Sequence, residues 1–246
     1  MENTHIRSSH IAIGMSVISA GILLSAIFLA GAIRDFRRND TITVTGSARK
    51  PIRADFAVWR GSVSSQKPTM QDAYRDIERY TNRMKEFFKQ KGVPDTAITW
   101  GSIDNSEIQE WLPQGGSTGR ILAYRLGQNF EIRSGNVDFI AELSQASAEL
   151  IPEGIPIVSY PPEYLYTRLA ELRVEMLTEA TQDAHRRAER IAEGVNNKVG
   201  TLRNARMGVF QITPRNSTDV SDWGIYDTRS IDKDITAVVS LTFSIE

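Results

Sequence analysis

Side chains able to carry chemistry are scarce in this chain. It has no cysteine among its 246 residues, which excludes disulfides, thiolate metal sites, Fe–S clusters and cysteine nucleophiles. Its histidines are His5, His10 and His185. Two of them lie at the N-terminus, so a histidine metal site or a Ser-His-Asp triad would have to be built on His185 alone. His185 sits beside Arg186, Arg187 and Arg190, interleaved with Asp183, Glu189 and Glu193, and Asp183 and Arg187 have i,i+4 spacing. That is the pattern of a charged helix face in water. Carboxylates gather twice, as Asp104, Glu107 and Glu110, and as Asp219, Asp222, Asp227, Asp232 and Asp234. Neither group has the alternating spacing that converges oxygens on a hard cation, so solvated loop carboxylates are expected. The run Gln114 to Arg120 holds three glycines but lacks the lysine and the spacing of a phosphate loop. It reads as a hairpin loop. No catalytic residue, cofactor or metal is therefore expected. The alternative enzyme is a hydrolase or lyase using loop carboxylates, Asp222, Asp227 and Asp232, with Tyr226.

Binding leaves a clearer trace. Two long loops, Glu110 to Arg120 and Pro214 to Lys233, each carry a tryptophan, Trp111 and Trp223, and the second adds Ile225 and Tyr226. Loops of such length are unusual without a role, and aromatic side chains on them suit protein–protein contact. Trp111, Trp223, Ile225 and Tyr226 are the candidate interface. Nucleic acid is not the expected partner, because 29 basic side chains stand against 30 acidic ones, a net charge of -1. With 41% hydrophobic and 24% charged residues, the composition excludes wholesale disorder, collagen and coiled-coil arrays.

What must position these residues begins with the N-terminus. After a short tail, residues 1–10, the stretch 11–33 contains no charge and is rich in Ile, Leu, Ala and Gly. At roughly 1.5 Å per residue a helix of that length covers the ~30 Å hydrocarbon core, so a single transmembrane anchor is expected. Ala30-Gly31-Ala32 resembles a signal-peptidase site, with a cleaved, secreted product as the alternative, but the apolar run is longer than an ordinary signal core. Ala12, Ser16 and Ala20 share one face and would let two spans approach closely. Arg7 precedes the span and Arg34, Arg37 and Arg38 follow it, a count that favours the large domain in the cytoplasm. Residues 34–40 read as a linker.

Residues 41–246 read as one α+β domain, an antiparallel sheet covered by helices in the order ββαββαβαββ. Thr41 to Ser47 alternates as a strand, and Ala54 to Ser64 is extended after a turn at Pro51. From Thr69 to Lys91 the period changes: Met70, Tyr74, Ile77, Tyr80, Met84 and Phe87 recur every three or four residues. Thr69 and Asp72 form a capping box, and Gly92 and Pro94 stop the helix. A hairpin follows, with arms Thr96 to Ser102 and a second to Arg133 that places Tyr124, Leu126, Phe130 and Ile132 on one side. Asn136 caps a helix carrying Val137, Ile140, Leu143, Ser147 and Leu150. Ile155 to Tyr160 is extended. The longest helix is expected from about Glu163 to Glu193, with a narrow seam of Leu169, Leu172, Met176, Ala180, Ala184, Ala188, Ile191 and Val195. Arg206 to Thr213 is extended, and Ile235 to Ile245 alternates as the last strand.

Several segments in this order resemble the SIMPL-domain family. They are Ile42-Thr43-Val44-Thr45-Gly46, Lys91-Gly92-Val93, Tyr124-Arg125-Leu126-Gly127-Gln128, Pro162-Glu163-Tyr164, the helix run Glu179-Ala180 to Ile191-Ala192, and Gly208-Val209-Phe210-Gln211-Ile212. The resemblance implies an α+β fold, export across the bacterial inner membrane and homo-oligomers of ring or cage form. Some relatives are associated with protection against oxidative stress, and a eukaryotic relative acts as a signalling adaptor. The family has no agreed catalytic residues to carry over. The expectation is a single-pass protein of the bacterial inner membrane, its large domain in the periplasm, acting as a homo-oligomeric scaffold. The alternative is a monomeric adaptor that grips another protein through its tryptophan loops.

Overall fold

The computed structural model describes residues 15, 18–27 and 40–246. Ten strands and three helices follow residue 40: β1 (Thr41–Arg53), β2 (Phe56–Lys67), α1 (Met70–Gln90), β3 (Ile98–Trp111), β4 (Ser117–Ser134), α2 (Val137–Ala146), β5 (Ile157–Ser159), β6 (Glu163–Leu165), α3 (Leu169–Glu193), β7 (Val199–Met207), β8 (Gln211–Pro214), β9 (Ile225–Tyr226) and β10 (Asp232–Ile245). The α+β class holds. There are two five-stranded sheets rather than one, and the pairing is antiparallel except between β8 and β9.

The chain divides into two compact units. β1, α3 and β10 run covalently through both. The first unit holds residues up to Ser47, Glu179–Gly208 and Val238–Glu246. Here β7 pairs β10 from Val239↔Met207 to Ile245↔Val199. The alanine half of α3 buries Ala180, Ala184, Ala188 and Ala192, and β1 meets it at Gly46. A Cβ there would lie 2.3 Å from the Ala180 carbonyl oxygen and 2.4 Å from the Ala184 nitrogen. Only glycine allows a backbone approach this close.

The second unit holds Ala48–Thr178 and Val209–Ala237. Its own sheet has the order β3-β4-β2-β5, with β6 also on β2. Inward residues of β2 and β4 pack against α1 and α2 in one core. Trp59 meets Phe130 edge-on at 5.1 Å and Phe88 at 5.9 Å. Thr69 accepts from the Asp72 nitrogen at 3.2 Å, and the Asn136 side chain accepts from the Phe139 nitrogen at 3.1 Å, so both caps form as their residue types dictate.

Several expectations need correction. Met70 and Tyr74 are exposed, because the buried stripe of α1 starts at Ala73 and Ile77. α3 begins at Leu169, not Glu163: Glu163–Leu165 is the strand β6, whose Tyr164 is buried opposite Ala57. The seam of α3 steps by four to Ala192, leaving Ile191 and Val195 in water. The chain turns at Ala54-Asp55, and Pro51 lies within β1, whose place at the end of its sheet tolerates a missing N–H. The extended stretch before β10 is two strands, β7 and β8.

Of the expected membrane span, residues 15 and 18–27 are described. They are helical, with Ile18, Ile22, Leu23, Leu24 and Ile27 exposed. No helix among the described residues is long and apolar enough to cross a membrane. Ala20 lies on this helix; Ala12 and Ser16 lie outside the described residues.

Candidate functional site

The outward face of the second unit's sheet carries a cleft of about 600 Å³. Strand register builds it. Arg60 on β2 stands directly opposite Glu131 on β4, and Glu163 on β6 stands opposite Val58. The Arg60 Nε donates to Glu131 Oε2 at 2.7 Å and its Nη1 to Glu163 Oε1 at 2.9 Å. Glu131 Oε1 accepts from Arg133 Nε at 2.5 Å. Thr99, Asn129 and Tyr160 complete the polar lining. Gly61 keeps the inner side closed, since a Cβ there would lie 2.5 Å from the Phe130 ring.

The chain Arg133–Glu131–Arg60–Glu163 alternates in sign and sums to zero. Burial pushes the Glu131 carboxyl up, but hydrogen bonds from Arg60 and Arg133 and their charge outweigh it, and its pKa falls below the ordinary carboxylate value. Each carboxylate already holds an arginine, so the cleft offers neither an unpaired base nor an anion site. Glu131→Gln is expected to lower stability by about 1 kcal/mol. The loss should be present above the ordinary glutamate pKa and shrink as pH falls through the depressed folded value. Urea titrations at pH 7 and pH 3 check this.

The loop acids divide. Asp227 and Asp234 are buried, against the expectation of solvation. Lys233, with 1% of its side chain exposed, donates from Nζ to the Asp227 carbonyl at 2.5 Å and to its Oδ2 at 3.4 Å. Asp227 Oδ1 also accepts from the Arg229 nitrogen at 2.8 Å. Asp234 Oδ2 accepts from Arg49 Nη2 at 2.6 Å and from the Asn216 nitrogen at 3.0 Å. Asp232 is exposed and bonds Arg53. Of the three acids weighed for a hydrolase, Asp227 is held by Lys233, Asp232 by Arg53, and Asp222 is exposed. Among the described residues no group of His, Cys, Asp or Glu could hold a metal. His185 is half-exposed, with Nδ1 3.5 Å from Glu189 and its ring edge-on to Phe243. The expected Asp183–Arg187 bridge forms at 2.8 Å.

The aromatic candidates fall on two elements. Trp111 ends β3 and is 71% exposed; Trp223 is 94% exposed, beside a turn closed by the Gly224 nitrogen on the Ser221 carbonyl. Ile225 and Tyr226 form β9, with Tyr226 exposed and Ile225 half-buried. Trp223, Ile225 and Tyr226 thus share one loop, and Trp111 belongs to a separate hairpin. Sequence reasoning missed the Lys233 staple, although Lys233 has the same strand parity as the buried Ile235 and Ala237.

Residues 42–243 match a family model described as SIMPL, protein of unknown function (DUF541). No curated protein matches the chain. Solved structures give partial matches. One is a hydantoinase/carbamoylase-family amidase from Burkholderia phymatum, 13% identical over 52% of this chain and 32% of that one, with a TM-score of 0.28. Another amidase of that family, from Burkholderia multivorans, is 12% identical over 52% and 32%, with a TM-score of 0.21. The regulatory subunit of aspartate kinase from Thermus thermophilus is 13% identical over 80% and 88%, with a TM-score of 0.21. The chain spans about a third of the length of the amidases it matches.

Proposed function

The chain belongs to the SIMPL family, and from that premise we propose that it works without catalysis, as a membrane-held scaffold that assembles with copies of itself. In this reading the apolar N-terminal segment anchors it in a bacterial inner membrane. Its large domain faces the periplasm and serves envelope or oxidative-stress protection.

One observation carries the reading. The charged groups of the cleft and of the loop before β10 are taken up by one another, on the sheet surface in Arg60–Glu131 and buried in Lys233–Asp227, while the large apolar side chains Trp111 and Trp223 stand in water. That distribution suits contact with another macromolecule rather than turnover of a small substrate. The exposed apolar side chains of residues 18–27 support the anchor. Detergent-solubilised full-length protein measured by light scattering is expected to be a symmetric homo-oligomer; a stable monomer would defeat the reading. Trp223, on a loop rather than a sheet edge, favours the adaptor as second reading. There, a monomer would capture a partner protein and lose it on Trp223→Ala.

A further inference from the structure

Among the strands that pair on one side only, β3 and β7 are the two exposed along their length. β3 pairs only β4, and β7 pairs only β10. Both are exposed on both faces, over Gly101–Glu107 in β3 and Thr201–Met207 in β7. Long edges are ordinarily blunted by lysine, proline or bulges; neither strand contains lysine or proline, and β3 runs without a bulge from Ile103 to Ile108. Their charges are opposite. β3 carries Asp104, Glu107 and Glu110 and no cation; β7 carries Arg203 and Arg206 and no acid.

The spacing matches as well as the sign. Set antiparallel with Arg206 opposite Asp104, the two strands also bring Arg203 opposite Glu107, Met207 opposite Ile103, and Asn204 opposite Ser106. Ala205 and Met207 share the face of the buried Leu241 and Val239, and Ile103 and Asn105 share the face of Gln128 and Leu126. The inner faces of both sheets would therefore run on into each other. The matched run ends at Arg203 and Glu107, since β7 bulges there against β10 and β3 bulges against β4 past Ile108. A slip of one residue sets each arginine against an uncharged side chain and crosses the faces.

We propose that β3 of one copy adds in this antiparallel register to β7 of a second copy, joining their sheets through backbone hydrogen bonds. The proposal rests on the self-assembly reading above and names the surfaces that carry it. A β3 edge meeting a β7 edge is a head-to-tail contact, with each copy offering both.

Full-length protein in detergent tests it by light scattering. Arg203→Glu with Arg206→Glu in one variant, and Asp104→Arg with Glu107→Arg in another, should each weaken assembly at least about tenfold, because like charges then face each other. Mixing the two variants should restore it, which an unfolded variant could not do. A wild-type monomer would remove the assembly reading and this proposal together. A wild-type oligomer that both variants leave unchanged, or that mixing does not restore, would overturn the edge pairing alone. Register is read by disulfides, since the chain has no cysteine of its own. Ala205→Cys mixed with Asn105→Cys should form a covalent dimer. Cross-linking of Ala205→Cys to Ser106→Cys instead would overturn the antiparallel register.

Discussion

Replacing Gly46 by alanine is expected to lower stability by about 3 kcal/mol or more, the upper end of what overpacking does. The added Cβ has nowhere to go: the atoms it meets are the Ala180 carbonyl oxygen, the Ala184 nitrogen and the Ala184 Cβ at 2.6 Å. Two of the three are helix backbone, which a rotamer change does not relieve. α3 must lift from β1, uncovering the alanines that β1 buries. Urea unfolding in detergent gives the measurement. Gly101→Ala is the control, because the nearest atom to a Cβ there is the Asn129 carbonyl oxygen at 3.4 Å; its loss should stay within about 0.5 kcal/mol. Equal losses at the two positions would refute the packing argument.

Lys233→Met is expected to destabilise the fold by about 3–5 kcal/mol, because it leaves the Asp227 carboxylate buried without its cation. The pair fastens the loop before β10. Around it the Asp227 nitrogen donates to the Ile212 carbonyl at 2.9 Å and the Tyr164 nitrogen to the Thr228 carbonyl at 2.7 Å. The double variant Lys233→Met, Asp227→Leu should regain most of the loss, since removing both charges removes the desolvation as well. A double variant as unstable as the single would show that the loop depends on Asp227 for its hydrogen bonds alone.

The pH dependence of the same pair has a fixed sign. Burial raises the Asp227 pKa, but hydrogen bonds from Arg229 and Ser230 and the charge of Lys233 bring it below the ordinary value. Its contribution is present above the unfolded aspartate pKa and is lost as pH falls through the depressed folded one. Burial lowers the Lys233 pKa more than Asp227 raises it. Over the alkaline window between its folded value and 10.5 the unfolded chain holds the extra proton, so stability from this group rises with pH.

Elements whose burial follows one local period were readable from the residues. α1 needed only its stripe and the Thr69 cap, and β10 only its alternation from Ile235. The rest depended on partners far away in sequence. β3 beyond Ser102 contains Asp104, Asn105 and Ser106, residues of low strand propensity, and is a strand because β4 runs beside it. Glu163–Leu165 looked like a helix start and became β6 because Tyr164 fills the core opposite Ala57. Exposed tryptophans were legible as types on loops. The Arg60–Glu131 pair was not, because a cross-strand register of 71 positions leaves no local signature. Asp227 read as one more solvated acid because nothing nearby announces that Lys233 points inward.

Three elements pass through both units, and this bears on how the molecule comes apart. The first unit is stitched from three separate stretches of chain, so no single cut releases it intact, and no truncation leaves the other with complete strands β1 and β10. Melting either half strips the ends from elements the other half needs. Loss of structure is thus expected to be all-or-none, with one heat-absorption peak instead of two, and protease nicks should shatter the domain instead of liberating a sturdy fragment.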